Sequence, residues 1–355
     1  MNRSNYHAIG IMSGTSLDGL DLAYCRFERT KRWKFSILAA ETVPYSRGWK
    51  RQLSDAHRLG GDKLLHLHHQ YGRFIGLQCQ KFIRRHRVGQ VDLVASHGHT
   101  IFHQPERSLT FQLGAGEDLF SATRLPVVCD FRTLDVALGG QGAPLVPVGD
   151  RELFGQHEVC LNLGGIANIS MEAGAHRKAM DVCFVNMALN HLAEKKKKMF
   201  DRDGVISFAG KVNRKWIRQV EEFYRPLRRR RPSLSREIFE TGLRPLLDDR
   251  SLSTEDKMAS MNECIAAEIR RAIDVKRKGS ILVTGGGAFN NALLQNLSGQ
   301  FEGQMKLKVP DRETIEFKEA LVFAFLGVLR LRNEVNVFSS VTGARTDSCS
   351  GAIIG

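Results

Sequence analysis

Residues 8–27 read AIGIMSGTSLDGLDLAYCRF. A β-rich run (8–12) meets a small polar loop (13–19), and a second β-rich run (20–27) follows at once. Two strands joined by Gly, Ser, Thr and Asp predict a hairpin. Gly14 and Gly19 let the backbone approach a ligand, Thr15 and Ser16 offer hydroxyls and N–H groups, and Asp18 offers a carboxylate. That set suits a phosphate tail carrying a metal ion. An ordinary surface hairpin fits the same letters, because short glycine motifs arise often by chance.

The layout recurs. VCLNLGGIANIS (159–170) is again strand, Gly-Gly turn, strand, with the turn at Gly164 and Gly165. Two phosphate-type hairpins, each opening a half of the chain, amount to an internal pseudo-repeat. A third glycine turn comes later: the buried-type strand 280–283 runs into Thr284 and then Gly285, Gly286 and Gly287, with a helix predicted over 288–297. Strand, bare turn and helix make a nucleotide-site layout in which adenine and ribose can lie on backbone at a helix N-terminus. It is neither the Walker pattern nor the Rossmann fingerprint, since the Lys-Ser/Thr and the spacing are missing.

Between these turns the chain alternates strands and helices. Residues 34–43 continue the first hairpin as a third strand, and helices are expected over 48–59 and 62–87. His66, His68 and His69 fall in the second helix at spacings that do not share a face, which favours surface histidines over a metal site. The strand 91–95 ends in SHGHTIFHQP (96–105), read as a loop past a strand's C-terminal end, where open α/β sheets place ligands. Ser96, His97, His99 and Thr100 there can hydrogen-bond a sugar or satisfy their own loop, and the density of histidines in 96–103 favours the sugar. A short strand (110–113) follows, then another at 126–129. The stretch 130–147 reads as a structured crossover, with Asp130 and Arg132 facing a ligand or forming a plain ion pair. Asp181 ends a short strand (179–182) ahead of a helix (186–197), placing a carboxylate where it can serve as general base or as a helix cap. Residues 212–224 predict a helix, 225–233 a basic loop, 253–276 a helix capped at Ser253, 306–309 a last strand and 314–331 a helix carrying Glu319. The Gly/Ser/Thr-rich tail 339–355 is expected to pack as an extended segment.

The chain has 355 residues, enough for two domains or two lobes of one enzyme, and its 42% hydrophobic and 25% charged content is ordinary for a folded soluble protein. Seven scattered cysteines form neither a disulfide framework nor a zinc spacing. The N-terminus lacks the apolar core of a signal peptide and no run reaches membrane-spanning length, so the expectation is a cytoplasmic protein with no membrane partner. The net charge of +14 is partly concentrated in 195–198 and 228–231. No nucleic-acid motif accompanies those runs, which favours a solvated face or attraction to anionic substrates over nucleic-acid binding.

Taken together, GIMSGTSLDGLD (10–21), SHGHTIFHQP (96–105), GGQGAPLVP (139–147), LNLGGIANIS (161–170), FDRDG (200–204), VTGGGAFN (283–290) and the pair Glu319-Ala320 resemble the 1,6-anhydro-N-acetylmuramic acid kinases nearly end to end. The resemblance implies an α/β, two-lobed, actin-like ATPase (ribonuclease H-like) fold, with a mixed five-stranded sheet and flanking helices in each lobe, divided here as 1–135 and 136–355, with the final segment returning to the first lobe. It implies ATP with Mg²⁺ and a small anhydro amino sugar as partners, a homodimer, and a reaction in which water opens the 1,6-anhydro ring while O6 takes the γ-phosphoryl group. By position, Asp181 matches the base. Gly14, Thr15, Ser16, Leu17, Asp18, Gly19, Leu20, Asp21, Gly164 and Gly165 match the two phosphate loops, with Asp18 on the metal. Gly285, Gly286 and Gly287 match the adenosine segment. Glu319 matches an acid that seats the sugar, and Ser96, His97, Thr100, Asp130, Arg132 and Asn168 match sugar-binding positions. Two departures stand out: Val182–Val185 replace a Thr-Gly-Pro-Gly run after the base, and His99 stands where Gln is common. They leave open a kinase for another anhydro sugar such as levoglucosan, while the basic runs leave open a non-catalytic ATP-binding protein.

Overall fold

The computed structural model describes residues 3–14, 17–174, 176–273 and 278–355. Its strands are β1 (Asn5–Ser13), β2 (Gly19–Arg29), β3 (Trp33–Pro44), β4 (Leu93–Gln104), β5 (Leu109–Leu113), β6 (Val127–Cys129) and β7 (Val159–Leu163). They continue with β8 (Ile166–Ala173), β9 (His176–Phe184), β10 (Gly279–Thr284), β11 (Met305–Lys308) and β12 (Ala352–Ile354). The chain forms two compact units, Met1–Gly155 with Phe317–Gly355, and Gln156–Glu316. The first unit thus continues past the 135/136 boundary expected from the sequence and regains the chain at Phe317.

The first unit is built on a seven-stranded sheet ordered β12-β6-β4-β1-β2-β3, with β5 paired to β4. β1, β2 and β3 form an antiparallel meander, whereas β4 joins β1, and β6 joins β4, in parallel. Both faces are covered: Ile9, Ile11, Leu20 and Leu22 are fully buried on one, and Ala8, Ala23 and Cys25 on the other, which is why these strands read as nearly continuous apolar runs. The helix Gly61–Arg85 packs on one side through Tyr71, Ile75, Cys79 and Phe82 at helical spacing. The helix Arg312–Leu331 lies on β1 where Gly10 leaves room: a Cβ there would sit 1.8 Å from the Ala320 carbonyl oxygen.

The second unit repeats the plan. Its sheet is ordered β11-β10-β7-β8-β9, with β7–β9 an antiparallel meander and β10 and β11 added in parallel. Read from the third strand of each meander, both units follow the order third-second-first-fourth-fifth, so the repeated hairpins in the sequence open two copies of one topology. The first copy carries β5 and β12 beyond the five expected strands.

Three elements differ from the sequence reading. The stretch SHGHTIFHQ is strand, not loop, because β5 pairs back across His99, Thr100, Phe102, His103 and Gln104. The helix Arg214–Arg230 runs through Pro226 and takes in most of the basic segment expected as a loop. Proline removes one i→i−4 hydrogen bond, and the turn is held instead by Arg228, which bonds Glu268 and the Glu221 carbonyl. The glycine turn leads first into a short 3₁₀ turn, Gly286–Phe289, and then into the helix Asn291–Gln300, capped by Asn290. Among the described residues no helix is long and apolar enough to cross a membrane, and no cysteine is in a disulfide.

Candidate active site

In the first unit the loop after β1 is anchored from below. Ser13 is buried and hydrogen-bonds His99 Nδ1 at 2.9 Å, while Tyr45 donates to Ser13 Oγ at 2.7 Å and pairs with Tyr71 at 2.5 Å. Burial pushes His99 down to about 4, so the ring is neutral. Leu17 sits at φ +58° and its N–H donates to the Gly14 carbonyl. Asp18 is exposed at the loop and Asp21 accepts from Thr42 at 2.6 Å. Thr15 and Ser16 lie outside the described residues. Gly19 is glycine for β3, since a Cβ would meet Val43 O at 2.7 Å, and the Leu20 side chain is in the core, leaving both only backbone to offer a ligand.

The same unit holds a cavity of about 260 Å³ lined by Ser96, His97, Gln112, Glu117, Asp130 and His68, among others. Asp130 is the residue after β6 and adopts φ +54°, rare for a side chain other than glycine. Thr100 and Arg132, predicted to bind sugar, do not line this cavity. Arg132 is committed to protein: Nε and one NH₂ donate to His97 Nε2 at 2.9 and 2.8 Å, and the other NH₂ donates to the Gly142 carbonyl at 2.6 Å. His97 Nδ1 bonds the Gly98 carbonyl, which assigns the proton to Nδ1. Burial, then the Arg132 charge, hold His97 well below the usual histidine range. Burial also lowers Arg132 to about 10 against the opposing pull of Glu319 and Asp135. Glu319 is solvent-open at its side chain, yet its carboxyl is raised, first by desolvation and then by Asp21, with Arg132 and Lys318 opposing. The crossover is stapled by buried Asp135, which accepts from Gly142 N and Thr342 Oγ1, both at 2.7 Å.

In the second unit the Gly-Gly turn joins β7 to β8. The carbonyls of Gly164 and Gly165 accept from Asn186, Val185 and Met187 at the start of the helix Asn186–Glu194. Their N–H groups have no partner among the described residues. Carbonyls tied back and N–H groups free give a turn that can accept an anion. The Asn186 side chain donates to Leu163 O at 3.0 Å. Gly285 packs on the same turn: a Cβ there would meet Asn162 Oδ1 at 2.6 Å. Gly286 is open, with Asn186 Nδ2 at 3.3 Å as its sole neighbour within 4 Å.

Asp181 pairs with Asn168 across β8 and β9, and Asn168 pairs with Asn162 across β7 and β8. The register slips between Ala167 and Asn168, leaving Val182 unmatched. Asp181 Oδ2 accepts from Leu234 N at 2.9 Å and from Ser233 Oγ at 3.3 Å, while Oδ1 accepts nothing from the described residues. Burial raises its pKa, with those two hydrogen bonds opposing. It is therefore not a helix cap, and one oxygen remains to hold water. The sequence reading missed Asn162, Asn186, Gln112 and Glu117. The first was visible as a lone polar residue in an apolar strand, whereas Gln112 and Glu117 reach the cavity only through the β4–β5 pairing.

Among the described residues no group of three or more His, Cys, Asp or Glu is placed to hold a metal. His66 and His69 are exposed, and His69 pairs with Asp118.

A family model described as anhydro-N-acetylmuramic acid kinase matches residues 6–355. Curated proteins of that name align end to end. The Pseudomonas syringae pv. syringae protein is 30% identical over 98% of this chain and 99% of its own. Those of Mannheimia succiniciproducens and Pasteurella multocida are each 31% identical, covering 97% and 99% of this chain and 98% of their own. A match spanning both units puts the chain in the anhydro-N-acetylmuramic acid kinase family.

Proposed function

We propose that this kinase opens the 1,6-anhydro ring of 1,6-anhydro-N-acetylmuramic acid and phosphorylates O6, giving N-acetylmuramic acid 6-phosphate and ADP in cell-wall recycling. Water adds to the anomeric carbon as the C1–O6 bond breaks, and the freed O6 takes the γ-phosphoryl group of ATP. Asp181 accepts the proton from water. Its raised pKa and free Oδ1 support that role, since a base must reach its proton directly and have a pKa closer to neutrality than an exposed carboxylate. Glu319 seats the sugar, and Ser96 and Asp130 in the cavity supply hydroxyl-binding groups, with His97 holding the wall in place through Arg132 and Gly98. The free N–H groups of Gly164 and Gly165 and the loop 13–19 bind phosphates, and Gly286 gives adenosine bare backbone. Magnesium spreads the charge of the transferring phosphoryl group. A cation carried mainly by ATP phosphates, with Asp18 beside it, fits a site with no all-protein metal cage among the described residues. We place the enzyme in the cytoplasm as a homodimer on the same resemblance.

The observation that carries this reading is the end-to-end family match, supported by the partly free, partly buried carboxylate of Asp181. The test is product mass: incubation with the anhydro sugar and ATP gives a product heavier by one water and one phosphoryl group, and Asp181→Asn gives none. A product from levoglucosan alone would favour the second reading, which the apolar run Val182–Val185 motivates.

A further inference from the structure

Beside Asp181 the second unit holds a small cavity with an uncommitted cation at its wall. Asp181, Arg228, Arg231, Glu268 and Arg271 line it, with Met180 and Leu227 among the apolar residues. Its volume of about 80 Å³ exceeds that needed by a single water, about 10–15 Å³ on the same measure, and so admits a carboxylate-sized group.

The three arginines are not equivalent. Arg228 bonds Glu268 at 2.7 Å and the Glu221 carbonyl at 3.0 Å. Arg271 bonds Glu268 at 2.6 Å and Glu221 at 2.5 Å. Those two cations are matched by two carboxylates. Arg231 has none among the described residues, where its guanidinium reaches the Met180 sulfur, at 3.5 Å. A thioether is a weak acceptor that a carboxylate readily displaces. Arg231 is also the C-cap of the helix Arg214–Arg230 at φ +47°, its N–H bonded to Leu227 O, so its backbone is fixed while its side chain is exposed. A helix C-terminus carries partial negative charge, but the last turn here holds Arg228, Arg229 and Arg230 as well, leaving the end positive.

We propose that Arg231 receives the lactyl carboxylate of the substrate and so makes the enzyme prefer an acidic anhydro sugar to a neutral one. The inference rests on the reading of Asp181 as the base. The lactyl arm leaves the same ring whose anomeric carbon would face that base, and Asp181 and Arg231 line one cavity, which puts a cation within reach of that arm. A guanidinium meets a carboxylate with two parallel hydrogen bonds, and Met180 and Leu227 offer apolar contact to the lactyl methyl group.

The test compares wild type, Arg231→Gln, Arg231→Lys and the neighbouring Arg230→Gln. The substrates are 1,6-anhydro-N-acetylmuramic acid and 1,6-anhydro-N-acetylglucosamine, which lacks the lactyl group. ADP release gives kcat and KM, and calorimetry without ATP gives sugar affinity. Arg231→Gln is expected to raise KM and Kd for the acidic sugar by about 10- to 100-fold, the loss expected of a charge-assisted pair. The neutral sugar should change far less. Arg231→Lys should recover part of the loss, and Arg230→Gln should match wild type. Equal loss for both sugars, no loss for either, or wild-type binding that ignores the lactyl group would overturn the proposal. If wild type phosphorylates neither sugar, the proposed function fails, while calorimetry with the same two sugars still decides the role of Arg231.

Discussion

His97 Nε2 accepts two hydrogen bonds from the Arg132 guanidinium, at 2.9 and 2.8 Å, while Nδ1 is spent on the Gly98 carbonyl. The imidazole is thereby neutral, oriented and wholly used by protein, and it fixes Arg132 between β4 and the Gly142 turn. His97→Ala leaves two guanidinium donors without an acceptor in a mostly buried place. The expected cost is on the order of 2–3 kcal/mol, the penalty for unsatisfied buried donors to a charged group. Urea unfolding of the variant beside wild type measures it, and an unchanged midpoint would show the pair to be idle.

His99 predicts an acid sensitivity. Its folded pKa is about 4, whereas an unfolded histidine titrates near 6.5. The unfolded chain therefore takes up the proton first, and folded stability is complete above about pH 6.5 and falls as pH drops towards 4. The full loss amounts to about 3 kcal/mol. His99→Gln keeps a partner for Ser13 and removes the titration, so its stability should fall less steeply over that window. Thermal unfolding of both proteins at several pH values reads the difference, and parallel slopes would count against it.

How far the letters carried depends on how local each feature is. The two hairpins and the Gly285–Gly287 turn were legible because glycine and small polar residues punctuate neighbouring apolar runs. Together with the motif order they yield the repeated α/β topology. The strand character of SHGHTIFHQ was not legible, because it depends on pairing with β5 after an intervening turn. Nor was the helix through Pro226, whose hold is the Arg228–Glu268 contact, 40 residues apart in sequence. Asp181 was placed by motif, but its bonds to Ser233 and Leu234 span 52 and 53 residues. Arg132 shows the limit of reading side chains by type: as a cation beside Asp130 it suggested a ligand, and tertiary structure spends it on His97.

Asp181 predicts the pH profile of turnover. The base works ionised, and burial has raised its pKa above the ordinary 3.8. kcat/KM should fall on the acid side through a pKa above that value. Ser233 donates to Oδ2 and favours the ionised form, so Ser233→Ala should move this limb to higher pH. Asp181→Asn should lower kcat by about 10²–10⁴-fold or more, the usual contribution of a positioned base. An unmoved limb in Ser233→Ala would mean that another group sets it.

Gly285 and Gly286 are adjacent yet predict different failures. Gly285 has φ +80°, and a Cβ there meets Asn162 Oδ1 at 2.6 Å and Leu163 backbone at 2.8 Å. Gly285→Ala must therefore strain the turn or push β7 aside, with a cost of about 1–3 kcal/mol that thermal unfolding will show without nucleotide. At Gly286 the φ is unexceptional, and a Cβ would meet one protein atom, the Asn186 amide nitrogen at 3.3 Å. Gly286→Ala should therefore fold with nearly the wild-type melting temperature. If that open side is where adenosine lies, the added methyl group competes with it, and KM for ATP should rise by about tenfold, as the loss of one good contact allows, with KM for the sugar little changed. A stable Gly286→Ala protein with unaltered KM for ATP would remove this turn from the nucleotide site.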